Sequence, residues 1–132
     1  VLVQVDFKNA FNSARRSDLI AATRERTPQL ERYVTWLYGR HARLFPEGAP
    51  PDAEPILSQR GVRQGDPLGP LLFANLLQGP LEATAATGSS TKVVAVHDDV
   101  AIHAQPDDAL AALGTLRAAT APSGLDVSIG KC

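Results

Sequence analysis

The sequence predicts an α+β fold, an antiparallel sheet with helices packed on one face. Three observations predict it. Runs rich in β-branched residues, such as VLVQV, VVAV and VAIH, are the length of strands rather than helices. Two of them are joined only by a short polar turn, VVAVHDDVAI, which calls for antiparallel pairing. Between the strands lie helical stripes, and the longest is apolar on most sides, so it must be buried.

Residues 1–6 read as a buried strand. Ser17 caps a helix running to about residue 26, with Asp18 in the first turn, where the helix dipole favours an acid. Thr27 caps a second helix that opens on Pro28. Leu30, Tyr33, Val34 and Leu37 form its apolar stripe, Trp36 and Tyr38 read as packing residues, and Gly39 ends it. Pro46, Gly48, Pro50, Pro51 and Pro55 make residues 46–55 a loop between short strands near 41–45 and 56–60. Residues 67–87 form the buried helix, with Leu68, Leu72, Phe73, Leu76 and Leu77 among its apolar positions. Pro80 should kink it or cut it short. Strands follow at 92–97 and 100–104, joined through Asp98 and Asp99. Leu110, Leu113 and Leu116 stripe a last helix, and Ser123 and Gly124 turn the chain into a strand at 125–129.

At 132 residues the chain is one domain at most. Its 44% hydrophobic and 20% charged content is ordinary for a soluble protein. Thirteen basic residues against fourteen acidic ones leave a net charge of −1, a poor footprint for a free-standing nucleic-acid binder unless the charges segregate. The single cysteine, Cys132, excludes an internal disulfide and a cysteine-based zinc site. The apolar runs fall short of a membrane span, and no signal peptide is visible. The chain lacks Met and opens inside a strand, so it is expected to be a portion of a longer protein.

Three stretches carry chemistry. Asp98 and Asp99 sit side by side between apolar strands, and Asp6 ends a third. Adjacent carboxylates raise each other's pKa, and two charges at the tip of a buried hairpin need a reason. A cation supplies one. Mg²⁺ suits hard oxygen donors, although a polar turn is the simpler alternative. In GVRQGDPLGPLLF, Gly61 and Gly65 permit close backbone approach to a ligand, and Arg63 and Gln64 offer donors to phosphate, sugar or base. Pro67 then opens a helix whose N-terminus favours anions; a plain loop-to-helix entry with Asp66 as cap is the alternative. In DFKNAFNS, Phe11 can face the same pocket as Asp6, where its ring would leave no room for a 2′-hydroxyl. Alternatively Phe7 and Phe11 are a core pair at i, i+4, and the Phe7 ring reads as core in either case.

Taken together, these strings resemble the palm of a reverse transcriptase of the kind carried by non-LTR retrotransposons. The family's D-x-x-x-A-F is matched at Asp6, Ala10 and Phe11. Its Q-G-D-x-L-x-P-x-L-F is matched from Gln64 to Phe73, its A-Y-x-D-D at Ala95, Asp98 and Asp99, and its G-L-x-aliphatic-N-x-x-K at Gly124, Leu125, Val127 and Lys131. The NAFN spelling also resembles elements inserted in trypanosomatid leader genes.

The resemblance implies a polymerase palm with a ferredoxin-like core, the fingers and thumb lying mostly elsewhere. It implies that Asp6, Asp98 and Asp99 hold two Mg²⁺, for which Mn²⁺ can substitute, and that the backbone at Phe7 receives the triphosphate. Phe11 is then the steric gate that selects deoxynucleotides. Gln64 and Gly65 line the incoming nucleotide and the template, Arg63 also contacts the nucleotide, and Lys131 donates a proton to the departing pyrophosphate. The implied partners are an RNA template, a DNA primer, dNTPs and the remaining domains of a parent polyprotein, with no membrane. The implied location is intracellular, and nuclear by family. The portion by itself is expected to be inactive.

Two departures stand out: Val96 replaces the aromatic before x-D-D, with His97 following, and Ser128 replaces Asn. Two alternatives stay open. An RNA-dependent RNA polymerase palm shares the carboxylates but places a polar residue where Phe11 stands. A catalytically silent or decayed palm, at most an RNA-binding or assembly module, would tolerate Val96.

Overall fold

Alternating burial along three strands builds the main sheet, which the computed structural model describes within residues 1–128. The chain runs β1 (Leu2–Val5), α1 (Ala10–Ser13), α2 (Arg16–Arg26), a 3₁₀ turn (Pro28–Leu30), α3 (Glu31–Tyr38), β2 (Ala42–Leu44) and β3 (Ile56–Ser58). It continues through α4 (Gly69–Ala85), β4 (Lys92–Val96), β5 (Asp99–His103), α5 (Pro106–Thr120) and a second 3₁₀ turn (Ala121–Ser123). This is the expected mixture of helices and antiparallel sheet.

β5 lies between β1 and β4 and is antiparallel to both. Because side chains alternate across a strand, Val5, Val100 and Ile102 enter the core with Leu72, Phe73, Leu77 and Leu116. Leu2, Gln4, Val94, Val96, Asp99 and His103 are exposed on the opposite face. α4 and α5 pack on each other and on the sheet, and α2 packs on α4. Full burial of a ring such as Phe73 contributes about 2–3 kcal/mol. A separate two-stranded sheet joins β2 to β3, from Ala42↔Ser58 to Leu44↔Ile56. No helix among the described residues is long and apolar enough to cross a membrane.

Several elements differ from expectation. The short helix α1 carries no apolar period long enough to signal it. α2 begins at Arg16, with Arg15 rather than Ser17 at the capping position. In α3 the buried pair is Val34 and Tyr38, one turn apart, whereas Trp36 is 75% exposed, its ring 6.0 Å from the exposed ring of Tyr33. In α5 the buried stripe is Ala109, Ala112, Leu116 and Thr120, and Leu110 points outward. α4 continues past Pro80 to Ala85 and is not cut short there. The preceding residue is Gly79, which has no Cβ to clash with the proline ring, and bonds from Asn75 to Thr27 and from Arg26 to Glu82 tie the helix to the end of α2 on both sides of it. Of the expected last strand, Val127 bridges to Phe7, with Lys8 N–H donating to Asp126 O (2.8 Å) and Ser128 N–H to Asp6 O (2.8 Å).

Candidate functional site

The β1–β5 register decides which aspartates meet. Val5 faces Val100, so one step further along the ladder Asp6 comes alongside Asp99 on the neighbouring strand. Both line a cavity of about 220 Å³ with Gln4, Val5 and Val100. Val96 pairs with Asp99, which leaves His97 and Asp98 as a two-residue turn. The φ of His97 is +56° and Asp98 is not positive, the sign pattern of a type II′ hairpin turn, whose first central position favours glycine. A histidine there holds strain, as residues at functional sites often do. Asp98 therefore sits on the turn next to Asp99 and, unlike Asp6 and Asp99, does not line the cavity. No group of three or more His, Cys, Asp or Glu able to hold a metal ion gathers among the described residues.

A second cavity, of about 350 Å³, unites the other two stretches: Phe11 and Asn12 line it together with Arg63, Gln64, Gly65 and Asp66. The junction is built by backbone. Asn9 takes a left-handed conformation (φ +49°), which asparagine tolerates, and turns the chain from β1 into α1. Gly61 N–H donates to Ala14 O (2.7 Å) and Val62 N–H to Phe11 O (2.9 Å). Gly61 has φ +68°, and a Cβ on it would collide with Phe11 O and Asn12 Cα. Its close approach is to the chain's own backbone, not to a ligand as the sequence suggested. Gly65, at φ +84°, is the one of the two where an added Cβ would meet nothing within 4 Å and space stays open. The Phe7 ring is core, 3% exposed. Lys131 lies outside the described residues.

Behind this cavity sits a polar cluster that the sequence did not reveal. The Tyr38 hydroxyl donates to Asp66 Oδ2 and accepts from Arg63 N–H (3.0 Å), while Asp66 Oδ1 accepts from Leu68 N–H (2.9 Å) at the entry to α4. Burial, reinforced by the bond to Asp66, pushes the Tyr38 pKa up to about 12. The guanidinium groups of Arg16 and Arg63 lie over the Tyr38 ring, at 5.3 and 5.5 Å. Arg63 Nη2 donates to Leu37 O (2.9 Å), so part of the fork expected to reach a nucleotide instead fastens the loop to α3.

Arg16 is buried and donates to Gly61 O (3.0 Å), Ser58 O (2.5 Å), Ser58 Oγ (2.8 Å) and Arg60 O (3.2 Å). Burial and the charge of Arg63 lower its pKa, against the opposing pull of Tyr38. The Arg15–Arg16 doublet at a helix start was the only sequence signal of this cluster.

Comparison with known proteins fits this geometry. A family model described as "Reverse transcriptase (RNA-dependent DNA polymerase)" matches residues 1–132. The chain is 34% identical over 137 residues to the "Retrovirus-related Pol polyprotein from type-1 retrotransposable element R2" of Nasonia vitripennis, an alignment that covers 97% of the chain. The chain spans 13% of that relative's length. The relative is of the R2 type and lends no support to the trypanosomatid association.

Proposed function

Because the chain belongs to the reverse transcriptase (RNA-dependent DNA polymerase) family, we propose that it is the palm of an RNA-directed DNA polymerase from a non-LTR retroelement, extending a DNA primer with dNTPs along an RNA template. The observation that carries this reading is the cavity shared by Asp6 and Asp99 beside the turn that holds Asp98.

Carboxylate oxygens are the hard donors that Mg²⁺ takes, so Asp6 and Asp99, joined by Asp98, would hold two ions. When bound, the ions supply charge stabilisation at both the attacking and the leaving oxygen of an in-line displacement. The primer 3′-oxygen, losing its proton, would bond to the α-phosphorus of the dNTP as the bond to the bridging oxygen breaks and pyrophosphate departs.

The chain's own residues orient the reactants. Phe11, Gln64 and Gly65 share one cavity, so the Phe11 ring would stand against the sugar while Gly65 leaves room for the base pair. Lys131 would serve as the acid for pyrophosphate. A phenylalanine at position 11 offers no hydrogen bond to a ribose hydroxyl, which disfavours an RNA-synthesising palm. Other domains of a parent polyprotein would supply the rest of the grip, and retrotransposition would place the enzyme in the nucleus.

One observation favours a weakened enzyme. Val96, in the aromatic's place, is 63% exposed on the sheet's open face, where an aromatic ring would offer a primer end more surface. Primer extension by the parent polymerase on an RNA template decides. Synthesis that stops with Asp6→Asn and with Asp99→Asn supports the reading, and synthesis indifferent to both sinks it.

A further inference from the structure

We propose that the hollow between the start of α2 and the root of the β2–β3 hairpin binds backbone phosphodiesters of a single-stranded nucleic acid, guiding the template strand toward the Phe11 cavity. The proposal rests on the polymerase reading for the identity of the strand. The phosphate chemistry rests on the hollow itself.

The hollow measures about 480 Å³, is lined by Arg15, Arg16, His41, Gln59 and Arg60 among others, and has no carboxylate in its wall. The ion pairs among the described residues are Lys8–Asp126, Arg24–Glu31 and Arg26–Glu82. Arg15 and Arg60 enter none of them, although acids slightly outnumber bases in the whole chain. Arg16 is 6% exposed, and its nitrogens bond only carbonyls and a hydroxyl. It is a buried cation with hydrogen bonds but no counter-charge, the arrangement that an approaching anion completes. Arg16 also opens α2, so the positive end of that helix's dipole adds to the same field.

Continuity argues for a polyanion over a small one. A neighbouring hollow of about 450 Å³ shares Arg60 with the first and shares Arg63 and Gln64 with the Phe11 cavity. Across all three walls the one carboxylate is Asp66, already engaged by Tyr38 and Leu68. The charges thus segregate, contrary to what the near-neutral total suggested. Guanidinium forks pair bidentately with phosphate, and a line of such hollows follows a strand, whereas one nucleotide would fill one of them.

The test is binding of a labelled octauridylate to the 132-residue chain, followed by amide NMR and by anisotropy across salt. Amide shifts are expected at Ser17, His41 and Gln59. Arg15→Gln with Arg60→Gln should weaken binding at least about tenfold and flatten the log–log salt slope by about 1.4, two single-strand phosphates' worth. Arg15→Lys with Arg60→Lys should keep most of the binding. Arg117→Gln, exposed on α5 and outside the hollows, should bind like the parent chain.

Absence of shifts at about 1 mM oligomer, or glutamine variants that bind as tightly as the parent, overturns the proposal. So does full competition by dTTP or inorganic phosphate at equal phosphate concentration, which would mark a small-anion site. Should the double variant lose its native amide spectrum, each single glutamine variant is expected to show about half the effect. If the arginine variants change nothing while Asp99→Asn halts primer extension, the site falls and the polymerase reading stands. The opposite pattern refutes the reading and leaves the site.

Discussion

The ring of Phe11 stacks on that of Phe73, with centroids 4.6 Å apart and planes at 23°, and the His97 ring lies tilted to it at 6.2 Å. The residue expected to select the sugar thus stacks on the buried helix α4 and lies near the turn that carries Asp98. A ring held by such a stack would reject a 2′-hydroxyl by clash rather than by preferring dNTPs. In the parent polymerase, Phe11→Val should lower dNTP over rNTP discrimination by about 10–100-fold, read from competitive incorporation. His97→Ala should lower it by less, through a looser ring. An unchanged ratio in Phe11→Val would leave Phe11 as packing alone.

Metal binding should follow the cavity. Mn²⁺ titration monitored by EPR should show Asp6→Asn and Asp99→Asn each weakening binding at least about tenfold, or about 1.4 kcal/mol, with a folded amide spectrum retained. Chelation by EDTA should stop synthesis by the parent polymerase. Equal Mn²⁺ affinity in all variants would mean that the two carboxylates share a cavity without sharing an ion.

Tyr38 gives the fold an alkaline limit. Its pKa is about 12 in the folded chain against 10.0 for the free side chain, so the folded state keeps a proton that the unfolded state loses. The resulting stabilisation is complete below pH 10 and disappears between pH 10 and 12. Urea unfolding across that range should show stability falling with pH, and Tyr38→Phe should flatten the fall. At neutral pH the same variant should cost about 1–3 kcal/mol, because Asp66 loses its donor and the Arg63 N–H its acceptor.

Two glycines should separate space from backbone. Gly61→Ala meets both a positive φ and backbone atoms of Phe11 and Asn12, and should cost more than about 3 kcal/mol. Gly65→Ala meets only the positive φ and should cost about 1 kcal/mol. Thermal melts of the two variants side by side provide the comparison.

The strands and long helices were readable because their signals are local. β-branched runs, the apolar sweep from Leu68 to Leu77 and a turn at Asp98 each announce themselves within a few residues, although the turn is His97–Asp98 rather than Asp98–Asp99, since Asp99 enters β5. What failed was decided at a distance. Pro80 reads as a break until the end of α2 is seen to hold both halves of α4, and Trp36 reads as core until Val34 and Tyr38 take the buried face. Asp6, Asp99, Phe11, Gln64 and Gly65 were identifiable by motif. The basic hollow was not, since Arg15, His41 and Arg60 come from three segments and their sum is hidden by acids placed elsewhere.

The middle position of β5 also governs how the sheet assembles. β4 and β5 are neighbours along the chain and can zip within microseconds. β1, by contrast, must find β5 across about a hundred residues, with Leu2 pairing to His103, a closure that high contact order makes slow. At ribosomal speeds of 5–20 residues per second, the valines of β1 wait roughly 5–20 s for a partner strand to be made. During that interval the nascent chain carries an unpaired apolar strand, and Asp6 has no Asp99 beside it. The Asp6–Asp99 pair is therefore among the last contacts to form, and a holdase bound to the first ten residues would delay completion of the candidate site more than collapse of the chain.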